Sequence, residues 1–435
     1  MTKIHRFLPG VTAMFSMSLA SKGLAFIREL LTVYAFGTTF FRDGFVATLA
    51  TATLIYAPFL EPISRLLVPK YLSAPNKETL MGRFMLQLLI IMIAILILST
   101  YFAPVLIQLV YHNLSPEASS LATHYFSLML AYSMLFVFST ALSQIANAHH
   151  WYAFSEFRNI LFSGVVIFFL WFKIQFWGIP PLFGGYFWGI SLSCLVLGGG
   201  CFFRGWLRIA NPFRLIDSHT LGIFWLKFGG IASLILTGVF PGFLSQHLFA
   251  KLGPQLLSAN DIGLKLSTLF FSMLIPTLLT PYSSKIADMA SKGQFPLNFT
   301  LRIASIFVVI GLFLALLVTL FGESALRLIL QKGAMTAQGL HLTYTFFWAY
   351  MLGLAICALY ALLQQIVLSY RLNKTYIGNI LFINIAYFGG LWFVGIRFGG
   401  LFIVFLGTAL VGISVIWQSI AIYRCLLRKN QVTLA

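Results

Sequence analysis

The sequence predicts an all-α polytopic membrane protein of about twelve transmembrane helices in two six-helix lobes. Three observations predict it. The 435 residues are 60% hydrophobic and only 9% charged, with a mean hydropathy of +0.92, outside the range of soluble domains. The long apolar runs, such as Leu86–Leu98 and Ile303–Leu320, are unbroken. Barrel strands alternate instead, and lipid tolerates only helices or closed barrels, so the runs read as helices. Finally, the basic residues are distributed unevenly between alternate loops.

The spans lie near residues 8–36, 43–69, 83–109, 117–147, 152–172, 180–204, 220–249, 257–288, 299–321, 336–370, 375–396 and 400–427, each about 20 residues or longer as a bilayer demands. Pro75-Asn76, Ser115-Pro116, Pro180-Pro181 and Asn211-Pro212 punctuate the joints. Of the 28 lysines and arginines, seventeen fall on the side of the N-terminus, six on the other side and five within spans. The positive-inside rule then puts both termini in the cytoplasm, as an even span count also does. The same rule accounts for most of the net charge of +18, so nucleic acid is not expected as a partner. Lys22 and Arg28 interrupt the first apolar segment, which argues against a cleaved signal. Cys194, Cys201, Cys357 and Cys425 have no metal-type spacing and read as small core residues.

A weak internal repeat runs at an offset of 220 residues. Leu106 falls on Leu326, Thr123 on Thr343, Gln144 on Gln364, and Asn159-Ile160-Leu161-Phe162 on Asn379-Ile380-Leu381-Phe382. Six spans per repeat give both halves one orientation, with a cavity expected between them at the midplane. The lobes are placed at 1–210 and 211–435, and Arg204–His219 is the linker.

Charge inside the spans is the main functional signal. A charge at mid-bilayer costs about 2.5–3.5 kcal/mol or more on insertion scales. The first span nevertheless carries Lys22, Arg28 and Glu29. At 3.6 residues per turn, Ser21 and Arg28 share one stripe and Lys22 and Glu29 the next. One polar face results, and the other face can meet lipid. Glu61 and Arg65 in the second span, and Asp261 and Lys265 in the eighth, are four apart and can pair on their own helices. Such charges are either self-neutralised pairs that hold helices together or a cationic lining for an anionic ligand. Two cations against one anion in the first span favour the lining. Prolines in spans two, seven and eight, among them Pro58, Pro62 and Pro241, fit helices bent around a central site. His149-His150 reads as interfacial beside Trp151 and Tyr152. No nucleotide loop, Gly-x-Ser-x-Gly elbow or acidic metal cluster is present. No cofactor is expected, and energy must come from an ion gradient, the membrane potential or the substrate's own gradient.

Ser21-Lys22-x-x-Ala25-x-x-Arg28-Glu29, then Phe36-Gly37, then Asp43-Gly44-Phe45, resembles the opening of the MurJ (MviN) family of lipid II flippases. Lys332-Gly333-Ala334-Met335 and Ser369-Tyr370-Arg371-Leu372-Asn373-Lys374-Thr375 are similar to that family's segments before and after its tenth span. The resemblance implies the multidrug/oligosaccharidyl-lipid/polysaccharide (MOP) exporter fold, with two lobes and a central cavity opening to alternate sides. It implies a bacterial inner-membrane flippase of the lipid II peptidoglycan precursor. In the family, first-span arginines and one in the eighth span bind the pyrophosphate; by position these are Lys22, Arg28 and Lys265. Ser21 and Arg65 join them as candidate binding groups, and Glu29, Asp43, Glu61 and Asp261 are candidates for gating or coupling. A lipid-linked saccharide, membrane lipids and a coupling ion, Na+ or H+, are the partners expected of a monomer. The chain departs from the family in having twelve spans rather than fourteen. Two family arginines are lysines here, and Glu61-Pro62-Ile63 stands at a Glu-Gly-Ala motif. Flipping of another undecaprenyl-pyrophosphate oligosaccharide, cation-coupled drug export on the same fold, and a membrane enzyme acting on polyprenyl lipids stay open as alternatives.

Overall fold

In a computed structural model, the structure describes residues 4–73, 77–149, 151–175, 177–208, 219–253, 255–291, 297–331, 333–370 and 372–432. Among these, the regular structure is helical. The first seven helices are α1 (Ile4–Phe36), α2 (Phe40–Ser73), α3 (Lys77–Tyr101), α4 (Ala103–Val110), α5 (Pro116–Ala148), α6 (Tyr152–Trp171) and α7 (Pro181–Phe203). They are followed by α8 (His219–Leu252), α9 (Leu256–Ser291), α10 (Leu297–Leu330), α11 (Ala337–Leu352), α12 (Leu354–Ser369) and α13 (Asn373–Val432). Among the described residues, nine helical segments are long and apolar enough to cross a membrane, and ten if α11 and α12, bent by 41° at Gly353, form one span. The other expected spans, 8–36 and 257–288, are covered by α1 and α9. At 1.5 Å per residue, the 33 residues of α1 reach about 50 Å, more than a 30 Å hydrocarbon core requires.

Local signals set the ends of several helices. Ser115 Oγ accepts from the Ala118 amide at 3.2 Å, with Pro116 filling the first turn of α5. Thr336 Oγ1 does the same for the Gly339 amide at the start of α11, at 3.0 Å. Gly37 takes φ +53° between α1 and α2, a left-handed conformation that a side chain would strain. Gly399, at φ +80°, divides α13 into two stretches that run antiparallel. Tyr387 OH donates to the Ile403 carbonyl at 3.5 Å, and Gly390 lies against Leu406.

The chain divides into two compact units, Met1–Val239 and Phe240–Ala435. The first half of α8 belongs with the first unit because Trp225 Nε1 donates to Gln87 Oε1 of α3 at 2.6 Å and Trp225 packs on Phe84. Within the first unit α2 packs along α5, α6 on α7, and α1 on α6. Phe45, Phe183 and Tyr186 meet edge to face in its core. His149 stacks on Trp206 at 4.3 Å and its Nε2 shares a 2.7 Å hydrogen bond with Tyr71 OH, tying the ends of α2, α5 and α7 together. His150 lies outside the described residues. In the second unit α9 packs on α11, and α12 sits among α9, α10 and α13. Ile303, Phe307, Leu362, Ile366 and Ile422 are buried together there.

Candidate substrate site

α1 turns its charged face inward. Leu19, Ile27 and Tyr34, spaced eight and seven residues apart, are about half exposed and form the outer stripe, whereas Ser21 and Glu29 are buried. Lys22 and Arg28 are partly buried on the inner side.

Arg28 reaches α6 and α7. Its guanidinium carbon stands 4.9 Å from the centre of the Phe162 ring and 5.5 Å from that of Tyr186. Its Nε is buried without an acceptor among the described residues. Aromatic faces attract a cation by about 0.5–2 kcal/mol, depending on solvation, without hydrogen-bonding it. The carboxylate next in the chain is committed elsewhere. Glu29 lies about 100° further round the helix, where its Oε1 accepts from Arg42 Nη2 of α2, with both side chains shielded. Arg42 falls among the loop cations when the sequence is read alone; the structure places it in the first turn of α2, 1% exposed.

Lys22 lies within electrostatic reach of Glu156 on α6. Asn159 Nδ2 donates to that carboxylate at 3.2 Å. The Ser21 hydroxyl donates back to the Ser18 carbonyl at 3.0 Å, so its proton serves α1 itself. Asp43 is buried in the first turn of α2, where its carboxylate complements the positive helix end. Glu61 is partly buried, and the Arg65 side chain expected beside it lies outside the described residues. In the second unit Lys265 Nζ donates to Asp261 Oδ2 at 2.8 Å, as four-residue spacing predicts, with 29% and 17% of the two side chains exposed. Among the described residues no three His, Cys, Asp or Glu gather as metal ligands.

Two residues absent from the sequence-derived set complete the neighbourhood of Arg28. Arg158, on α6 one turn before Phe162, donates from Nη1 to Ser139 Oγ at 3.2 Å and Thr140 Oγ1 at 3.0 Å. Its guanidinium lies 5.3 Å from the Phe136 ring centre. Tyr132 of α5 is buried between the arginines, 5.8 Å from Phe162, 5.4 Å from Tyr186 and 6.2 Å from Phe136 between ring centres. Lys22, Arg28 and Arg158 share this neighbourhood with Glu156, and Glu29 also bears on Arg28 electrostatically.

The sequence profile of the family described as lipid II flippase MurJ matches residues 32–435. The chain belongs to the MurJ family. Membership makes it a transporter rather than a catalyst, and a multi-pass protein of the inner membrane. A probable lipid II flippase MurJ from Buchnera aphidicola subsp. Baizongia pistaciae (strain Bp) is 25% identical over 405 residues, covering 85% of this chain and 74% of the relative. Another, from the Acyrthosiphon pisum subspecies (strain APS), is 26% identical over 274 residues, 59% of this chain and 48% of the relative. Among solved structures, a lipid II flippase MurJ in an inward closed conformation superposes with a TM-score of 0.78 at 14% identity, covering 96% of this chain and 87% of that one. An inward-facing multidrug-resistance MATE transporter of the MOP superfamily gives 0.70 at 14% identity, covering 94% of each chain. These likenesses establish the MOP fold. The MurJ profile match begins after Glu29, so the assignment of Lys22 and Arg28 rests on the first-span motif and the geometry above.

Proposed function

We propose that this protein moves an undecaprenyl-pyrophosphate-linked saccharide of the lipid II class from the cytoplasmic to the periplasmic leaflet by alternating access. Both termini face the cytoplasm in this reading, as the basic-residue asymmetry requires. A pyrophosphate does not cross hydrocarbon unaided, because burying an ionised group costs far more than thermal energy. A site that exchanges water for fixed cations lowers that barrier. The observation that carries the reading is Arg28, held on the faces of Phe162 and Tyr186 rather than by a carboxylate. Its planar fork suits two phosphate oxygens, and its charge is available. Lys22 supplies a second point charge in the same unit, moderated by Glu156.

Lys265 is a further proposed phosphate contact, released from Asp261 as the anion arrives. Glu61 and Asp43 are the proposed coupling carboxylates, with Na+ or H+ as the coupled ion, and the carrier works as a monomer. Depletion of the protein followed by analysis of lipid-linked precursors tests the cargo. Accumulation of lipid II on the inner leaflet is the expected result. Accumulation of a different lipid-linked oligosaccharide would reassign the sugar and keep the chemistry. An unchanged precursor pool contradicts the reading.

A further inference from the structure

The site proposed above leaves one buried cation without a task. Arg158 sits six residues inside α6, and burying its charge carries a desolvation cost that Ser139 and Thr140 offset only at Nη1. Both hydroxyls already donate to the Phe136 carbonyl at 2.8 Å, so their oxygens are free to accept from Arg158. The Arg158 Nε is buried with no acceptor among the described residues, as is the Arg28 Nε. Glu156, two residues away on the same helix, bears on Arg158 electrostatically but is hydrogen-bonded by Asn159.

The two arginines are arranged in sequence along α6. Arg28 stacks on Phe162, and Arg158 is rooted four residues earlier, about 6 Å along the axis on the same face. Tyr132 fills the space between them, touching both Phe162 and Phe136, the rings on which the two guanidinium groups lie. Among the described residues nothing hydrogen-bonds the Tyr132 hydroxyl, although the residue is 8% exposed. Two guanidinium groups, one on the Phe162 ring and one rooted a helical turn before it, with a phenol donor between them, match a ligand bearing two linked phosphoryl groups better than one bearing a single phosphate.

We infer that Arg158, with Tyr132, forms a second phosphoryl subsite, so that a diphosphate is held by Arg28 at one phosphoryl group and Arg158 at the other. This rests on the pyrophosphate reading of the site and deepens it. Arg28 then provides anion affinity, and Arg158 provides the preference for diphosphate over monophosphate. The consequence for transport is direction: a carrier that grips the diphosphate and not the monophosphate does not carry the monophosphate lipid back.

Calorimetric titration of the purified full chain in detergent with farnesyl diphosphate and farnesyl monophosphate tests this. The wild type should prefer the diphosphate about tenfold or more, the effect of one charge-assisted contact. Arg158→Gln should bring the two affinities together by lowering the diphosphate affinity alone. Arg28→Ala should weaken both ligands. If Arg158 only staples α5 to α6, Arg158→Gln will lower the melting temperature and change both affinities alike or neither, and the inference is overturned while the pyrophosphate reading stands. A wild type that binds both ligands equally overturns the subsite while the pyrophosphate reading stands; one that binds neither overturns the pyrophosphate reading itself. Should Arg158→Gln fail to fold, Arg158→Lys is titrated in its place. A preference reduced by severalfold supports the subsite, and an undiminished preference refutes it.

Discussion

In the first unit α2 meets α5 at Gly44, where an added Cβ would lie 2.8 Å from the Ala118 carbonyl oxygen; in the second, α9 meets α11 at Gly263, where it would lie 2.8 Å from the Phe347 amide nitrogen. The same pair of spans in each half is thus brought together at a glycine. The charges do not repeat in this way. At the offset of 220 residues that aligns Asn159 with Asn379, Glu156 corresponds to Tyr376 and Arg158 to Gly378. Asn159 bonds the Glu156 carboxylate, while Asn379 Nδ2 donates to the Tyr360 hydroxyl at 3.4 Å. The second unit folds with a tyrosine and a glycine where the first has an ion-bearing turn. The packing plan therefore does not require an ion-bearing turn at this place.

Substitutions at five positions can break or sharpen this contrast. The largest effect on stability is expected from Arg42→Ala, which takes a buried partner from Glu29 in the core of the first unit. Removing one partner of a buried pair costs about 3–5 kcal/mol, and thermal unfolding in detergent reads it. A loss below about 1 kcal/mol would mean that water reaches the pair. Arg28→Ala should reduce transport of lipid-linked sugar by about a hundredfold, equivalent to about 2.7 kcal/mol, with melting little changed. Arg28→Lys should retain part of the activity, because charge persists without the fork. A melting temperature that falls as far as the Arg42→Ala value would instead assign Arg28 to the scaffold. Gly44→Ala and Gly263→Ala should each cost about 1–3 kcal/mol through overpacking, and by similar amounts. A large difference between them would show that the two helix contacts are not equivalent. The smallest change is expected from Asp261→Asn, since a partly exposed i,i+4 pair contributes about 0–1 kcal/mol. Its melting curve should overlay the wild type.

Much of the fold was legible from composition and span length, because lipid leaves a chain with few solutions. Every expected span contains a helix, and the break between the last two, expected between 396 and 400, falls at Gly399. The inward face of α1 was legible from the sevenfold spacing of Ser21 and Arg28. The partners of that face were not. Glu29 and Arg42 are thirteen residues apart across the Gly37 turn, and the rotation of α1 against α2 that joins them depends on a single positive φ. Arg158 counted as a loop cation because it lies near the start of its span. The available signal was its four-residue spacing from Phe162, which puts an arginine and an aromatic residue on the same face of one helix. Tyr132 carries no sequence signal, because a tyrosine in an apolar run also reads as ordinary core.

The antiparallel turn at Gly399 has a consequence for how the protein is made. The two stretches of α13 meet through Phe382 and Trp417, Tyr387 and Ile403, and Gly390 and Leu406, so only the residues around Arg397 separate one membrane crossing from the next. So short a turn favours entry of the pair into the bilayer together as a helical hairpin. The earlier stretch carries Asn379 and Asn384 and is the less apolar of the two, so its partitioning is drawn by the later one. Truncation of the chain shortly after Gly399 should therefore lower the efficiency with which residues 373–398 insert, a defect of biogenesis that arises before any question of transport.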